Sequence, residues 1–298
     1  MRFNKGKLIG FTAGIVAGVS YGMNPLFAKP LMEDGVQVLT MLFFRYFLSV
    51  LLLGVWMYMR GESFRVSRSE MPLLVLLGIL FSFSSLFLFE SYKYIPSGLA
   101  TTIVYLYPVF VALIMAALGN VPDWHVWLSI AATFTGVVIL CKPSGGLTLH
   151  WGGLLLAALS ALSYACYLVI VNRSKRIRRV SEHTLTFYAL VVGSALFLAI
   201  QLFGNGLSLQ GIGSPASLAN LLGLAVFPTM VSLLALAVST RHIGPTRTSV
   251  LGVFEPVTAI LIGTVLFAEP VTPGILAGIA ICLAAILFMV ITDRRQAS

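Results

Sequence analysis

The chain has 298 residues, of which 58% are hydrophobic and 10% charged, and its mean hydropathy is +0.98. Soluble domains carry about 25% charged residues, so this chain could not cover a water-facing surface; soluble, disordered and disulfide-rich secreted classes are excluded. The net charge of +9 must then sit in loops around lipid-embedded helices.

A helical span needs about 20 apolar residues. Between charge clusters and Gly/Pro punctuation, ten such segments follow one another at 8–28, 37–59, 71–92, 97–118, 124–142, 151–171, 183–203, 216–239, 247–267 and 273–292. The first apolar run is too long for a signal peptide and has no small-residue cleavage site, so it is counted as a span. The fold class expected is an all-α polytopic membrane protein with ten transmembrane helices, leaving only short loops.

Lys and Arg set the orientation. With a cytoplasmic N-terminus, fifteen lie in inside segments, among them Arg60, Arg65, Arg68, Arg173, Arg176, Arg179, Arg241 and Arg247. Three lie outside (Lys29, Lys93, Lys142), and Arg45 falls within a span. The positive-inside rule therefore places both termini in the cytoplasm. Anionic lipid accounts for the basic balance, so no nucleic-acid partner is implied.

Shifting the chain by 148 residues aligns two stretches. Ser91 meets Ser239, Ile95 meets Ile243, Pro108-Val109 meets Pro256-Val257, Leu113-Ile114 meets Leu261-Ile262, Leu118 meets Leu266, and Pro122 meets Pro270. Earlier, Ser20-Tyr21 answers Ser163-Tyr164 at an offset of 143. Each half holds five spans, an odd number, so two sequential units must run in opposite senses through the bilayer. Inverted five-helix repeats place a site near the midplane between the halves and supply two related conformations, which points to alternating access by a transporter.

Ionisable groups inside spans are costly unless paired or watered, so each is a functional candidate. Glu255 lies eight residues into its span, about 12 Å deep, where it could take up a proton, a cation or a substrate amine; the alternative is an interhelical hydrogen bond that fixes packing. Arg45 could grip a substrate carboxylate or form a structural ion pair with Glu255 or Glu90. Glu90, three residues before Lys93, reads first as a surface pair. Tyr21 and Asn24, Tyr105 and Tyr107, and Ser163, Tyr164 and Tyr167 add polar-tipped aromatic or small polar walls, or else interfacial packing. Pro108 and Pro256 match mid-span, where they would free the carbonyls of Val104 and Gly252 and could act as hinges or gates. The series Gly10, Gly14, Gly18, Gly22 reads as close helix packing, and Gly274-xxx-Gly278 could serve packing or a homodimer.

No Walker A, HExxH or aspartate-rich cluster occurs, and Cys141, Cys166 and Cys282 are far apart. No cofactor, metal or enzymatic activity is expected.

The stretch from Leu233 to Gly278, with Ile243, Glu255-Pro256-Val257 and Leu266-Phe267-Ala268-Glu269, resembles the second repeat of EamA-type drug/metabolite transporters. Tyr107-Pro108-Val109 and Leu118-Gly119-Asn120 resemble the same unit in the first half. Glu269 fits the acidic residue usual near the end of the fourth span, whereas the first unit has Asn120. The resemblance implies two EamA units, here 1–145 and 146–298, forming an inner-membrane carrier with a cavity walled by both. It further implies export of amino acids or related metabolites. A zwitterion held between Glu255 and Arg45, with a proton as coupling ion, is the expected substrate chemistry. The alternatives are a nucleotide-sugar or other metabolite exchanger, and a membrane-embedded enzyme acting on a lipid-linked substrate. The inverted arrangement requires Lys93 and Arg241 to face opposite sides of the membrane. Membrane-impermeant labelling of Lys93→Cys and Arg241→Cys should modify one from outside and the other only from inside.

Overall fold

A computed structural model describes residues 5–119, 123–140, 150–204, 206–243, 248, 251–270 and 272–292. Asn120, Pro122, Cys141, Lys142, Arg247 and the junction between the expected units lie outside the described residues. Among the described residues the chain is all-helical, with no strand.

The first expected span is divided. Helix α1 covers Lys5–Gly22 and α2 covers Asn24–Glu33, so the span runs on past residue 28. Pro25 is the cause, because it has no N–H to give the Tyr21 carbonyl one turn earlier. Asn24 repairs the loss, its side-chain Nδ2 donating to that carbonyl at 2.8 Å. Helices α3 (Val38–Arg60) and α4 (Met71–Ser91) are unbroken. The fourth segment splits into α5 (Ser97–Val104) and α6 (Tyr107–Ala117), with the break at Tyr105 and Leu106, just before Pro108. Helices α7 (Trp124–Leu140), α8 (Trp151–Arg173) and α9 (Glu182–Phe203) follow. Helix α10 (Pro215–Ala225) passes through a π-helical turn, Val226–Val231, into α11 (Ser232–Ile243). Pro228 sits in that turn, which accommodates its missing donor. The chain ends with α12 (Phe254–Phe267) and α13 (Pro273–Thr292).

Among the described residues six helical segments are long and apolar enough to cross a membrane: Val38–Arg60, Met71–Ser91, Ser97–Ala117, Trp151–Arg173, Glu182–Phe203 and Pro215–Ile243. Phe254–Phe267 and Pro273–Phe288 are shorter apolar helices. Leu51, Leu155, Leu261 and Val265 point outward, as lipid-solvated helices require, and Tyr58, Trp124 and Trp151 are exposed at helix ends, where amphipathic rings sit at headgroup level. The protein is a multi-pass membrane protein.

Packing follows a two-fold exchange between the halves. Helix α1 lies along α11 while α8 lies along α4, so the first span of each half meets the third of the other. The second spans meet each other (α3 with α9), as do the fourth (α5 with α12) and the fifth (α7 with α13). Small residues allow these approaches. A Cβ on Gly14 would meet the Leu251 side chain and Ser239, and one on Gly136 would lie 2.6 Å from Cys282 Sγ and 3.0 Å from the Gly278 carbonyl. The α1 glycine stripe is thus a packing face, and Gly278 serves a contact within the chain.

Glu62, Ser63 and Phe64 meet His183, Thr184 and Tyr188 at one end of the bundle. Lys29 and Lys93 share a groove at the other. Arg241 follows Thr240, which lines a cleft with Glu182 and His183, so Lys93 and Arg241 lie at opposite ends.

At Gly22 the neighbour is rigid backbone: a Cβ there would lie 2.5 Å from the Glu255 carbonyl oxygen and 2.6 Å from Thr258 Cβ. Overpacking of this kind costs about 1–3 kcal/mol. Gly22→Ala should lower the apparent melting temperature of detergent-purified protein by several degrees. Gly213→Ala, with nothing within 4 Å of the added carbon, should leave it unchanged.

Candidate functional site

The breaks gather around one cavity. Its walls bring together Tyr21 from α1, Arg45 from α3, Ser84 and Ser85 from α4, and Tyr164 from α8. Tyr105 and Tyr107 enter from the α5–α6 break, Pro228 and Thr229 from the π-helical turn, and Glu255 from the start of α12. The cavity volume is about 80 Å³. Six residues singled out from the sequence therefore meet here: Arg45, Glu255, Tyr21, Tyr105, Tyr107 and Tyr164.

Arg45 is 3% exposed. Its Nε donates to Thr229 Oγ1 at 3.0 Å, and the guanidinium lies 5.2 Å from the Phe89 ring centroid and 6.0 Å from that of Tyr46. Ring faces attract a cation more strongly once it is desolvated, so these rings replace part of the lost hydration. Thr229 is held in turn. Pro228 has no N–H to give the Leu224 carbonyl, and the Thr229 hydroxyl donates to that oxygen at 3.0 Å. With its hydrogen committed, Oγ1 presents only lone pairs to Arg45. The guanidinium is fixed through Nε, and its two terminal nitrogens have no protein acceptor among the described residues.

Glu255 occupies the first turn of α12, where a carboxylate complements the positive end of the helix dipole. The break before it has a local cause: Pro256 cannot donate to Gly252, and the Glu255 N–H takes that carbonyl at 3.0 Å instead. The Gly252 carbonyl is thus bonded rather than freed, which corrects the expectation for it. Gly252 and Val104 both line the cavity. Among the described residues no hydrogen bond or ion pair engages the Glu255 carboxylate, and Arg45 forms no ion pair with Glu255 or Glu90.

The other candidates lie elsewhere. Glu90 pairs with Lys93 at 2.7 Å, and Ser163 is not in the cavity wall. Asn24 is buried and spends its amide on the Tyr21 carbonyl, with its Oδ1 unpartnered. Phe81, Ser84, Ser85, Thr229, Ser232 and Thr248 line the cavity without having been singled out. Pro228 was their one legible signal, a third mid-span proline without a repeat mate. Among the described residues no group of three or more His, Cys, Asp or Glu gathers.

At the Lys29 end the halves are tied together. Glu269 Oε1 accepts from Lys29 Nζ at 2.7 Å, from Ser97 N at 2.9 Å and from Ser97 Oγ at 2.8 Å. Ala268 takes the left-handed conformation, φ +48°, and turns Glu269 back so that its N–H reaches the Gly263 carbonyl. Lys29 also lies 4.7 Å from the Phe267 ring. At the opposite end, a cleft of about 230 Å³ opens beside Glu182 and His183 and shares Phe81, Tyr164, Leu233 and Leu236 with the cavity.

The sequence matches the EamA-like transporter family over residues 8–141 and 151–291. The chain belongs to that family. Its division into two matched stretches agrees with the two-fold exchange of packing partners. An uncharacterized transporter of Archaeoglobus fulgidus is 27% identical over 190 residues, covering 64% of this chain and 66% of the relative. A second from the same organism is 29% identical over 231 residues, covering 76% and 80%. The uncharacterized transporter YdfC of Bacillus subtilis is 25% identical over 236 residues, covering 78% and 74%. One solved crystal structure superposes on 99% of both chains with a TM-score of 0.65 at 20% identity, which establishes the likeness of fold. This EamA family member is a membrane transporter, and a small-molecule substrate and a surrounding bilayer go with that role.

Thr229→Val would strip a partner from two buried groups, the Leu224 carbonyl and Arg45 Nε, at about 1–3 kcal/mol each. Its thermal unfolding in detergent should fall well below that of the native protein. Thr229→Ser keeps the hydroxyl and should stay within a degree or two of native.

Proposed function

We propose that this protein is a ten-helix secondary transporter whose units, 1–145 and 146–298, are inverted repeats, and that it moves a small zwitterionic metabolite such as an amino acid. The observation that carries this reading is a guanidinium and a carboxyl, Arg45 and Glu255, lining one cavity with no ion pair between them. A buried charge without a counterion costs several kcal/mol, a cost retained where a ligand relieves it. The carboxylate of the solute meets the two free nitrogens of Arg45 in a bidentate grip, and its ammonium meets Glu255. Coupling to a proton runs through Glu255, the one carboxyl in the cavity wall among the described residues. Export across the inner membrane, with both termini cytoplasmic, is the direction and location assigned here.

Alternating access is supported by the asymmetry of the two ends. Lys29, Ser97 and Glu269 join α2, α5 and the end of α12 on the side read as outer, whereas the cleft beside Glu182 opens on the side rich in arginine. The conformation is thus read as inward-facing. Rocking of the repeats would part the Lys29–Glu269 pair as it seals the mouth of the cleft, in the manner of inverted-repeat carriers.

Proteoliposomes test the reading directly. Saturable zwitterion uptake with counterflow is expected, and product formation without flux would favour a membrane-embedded enzyme. Arg45→Gln and Glu255→Gln should each weaken apparent affinity about 10- to 100-fold, the worth of a hydrogen bond to a charged group. Glu255→Gln should also flatten the pH dependence of uptake. Native flux and pH profile in both variants would remove the charge pair from the mechanism.

A further inference from the structure

The polar cavity is too small for the solute it is built to bind. Pockets that enclose small molecules run to about 300–1,000 Å³, whereas the space around Arg45 and Glu255 is about 80 Å³. That holds a charged head group and little else. The neighbouring cleft adds about 230 Å³, and the two together reach about 310 Å³. Tyr164 belongs to both walls, so the two spaces meet at its ring.

Beyond Tyr164 the chemistry changes. The cleft walls are Leu53, Met230, Leu233 and Leu234 with the rings of Phe81 and Tyr167, and its polar side chains Glu182 and His183 stand at the bundle end. The rings form a continuous series into it. Tyr105 meets Tyr107 at 6.0 Å, Tyr107 meets Tyr164 at 4.9 Å, Tyr164 stacks on Tyr167 at 5.9 Å, and Tyr167 meets Phe81 at 5.8 Å. Aromatic edges and faces of this kind accept an apolar or aromatic group at little entropic cost.

We infer that the cleft is a side-chain subsite, so that the preferred solute is a zwitterion with a bulky apolar side chain, branched aliphatic or aromatic. This rests on the reading of Arg45 and Glu255 as the head-group site and goes beyond it by fixing what the head group carries. A cleft that served only as a passage would show no such preference.

Binding of glycine, alanine, leucine and phenylalanine to the detergent-purified full chain, read as thermal stabilisation against concentration, tests the inference. Each buried methylene contributes about 0.8 kcal/mol, so affinity should rise at least tenfold from alanine to leucine or phenylalanine. Ala237→Phe fills the cleft wall away from the charge pair and should abolish that gain while leaving alanine affinity unchanged, which also certifies the variant as folded. Equal affinities for alanine, leucine and phenylalanine would overturn the inference while leaving the head-group site intact, as would a gain that survives Ala237→Phe. No binding of any of the four would overturn the head-group reading and this one with it.

Discussion

In hydrocarbon each backbone N–H and C=O must find a partner inside the protein, and the organisation of this transporter follows from where that rule is broken and repaired. Pro25, Pro108, Pro228 and Pro256 each remove a donor from a helix. The Tyr21 carbonyl is recovered by Asn24 and the Leu224 carbonyl by Thr229. Residues at or beside these breaks, namely Tyr21, Tyr105, Pro228, Thr229, Gly252 and Glu255, line one cavity. Polar backbone and polar side chains concentrate at the same depth because each makes the other tolerable in a low-dielectric setting.

The repair at Thr229 links the backbone to the charge chemistry. Because the hydroxyl hydrogen is committed to Leu224, the oxygen can only accept, and Arg45, a residue of the cavity wall, is held through Nε while its other two nitrogens have no acceptor among the described residues. A hydroxyl with an uncommitted hydrogen would not impose that direction. The π-helical turn around Pro228 does two tasks at once: it absorbs a proline and sets the orientation of a buried cation.

Much of this was legible along the chain. Ten apolar runs, the matched Pro108 and Pro256, and the isolated charges Arg45 and Glu255 stand out because lipid penalises each departure from apolar helix. The glycine stripe on α1 was legible as a packing face for the same reason, and its residues meet α11 and the chain leading into α12. The break in the first span was not. Pro25 lies inside the expected span 8–28, yet α1 stops at Gly22 and the helix resumes at Asn24 and runs to Glu33, where a side-chain amide restores the lost bond. Ser163 stood beside Tyr164 as a candidate yet is not in the cavity wall, whereas Glu90 forms the short-range pair with Lys93 that its spacing suggested first.

The sequence by itself determined that the chain lives in a membrane, that it is helical, and that its halves repeat. Those properties are set by composition and by spacing along one strand of chain, which hydrocarbon reads directly. Tertiary structure decided which of the polar residues share a cavity, that Arg45 and Glu255 do not pair, that Glu269 reaches Lys29 and Ser97 across the halves, and that the polar cavity adjoins an apolar cleft. These depend on rotations of helices about their own axes and on contacts between residues as far apart as Lys29 and Glu269, which nothing in local spacing records.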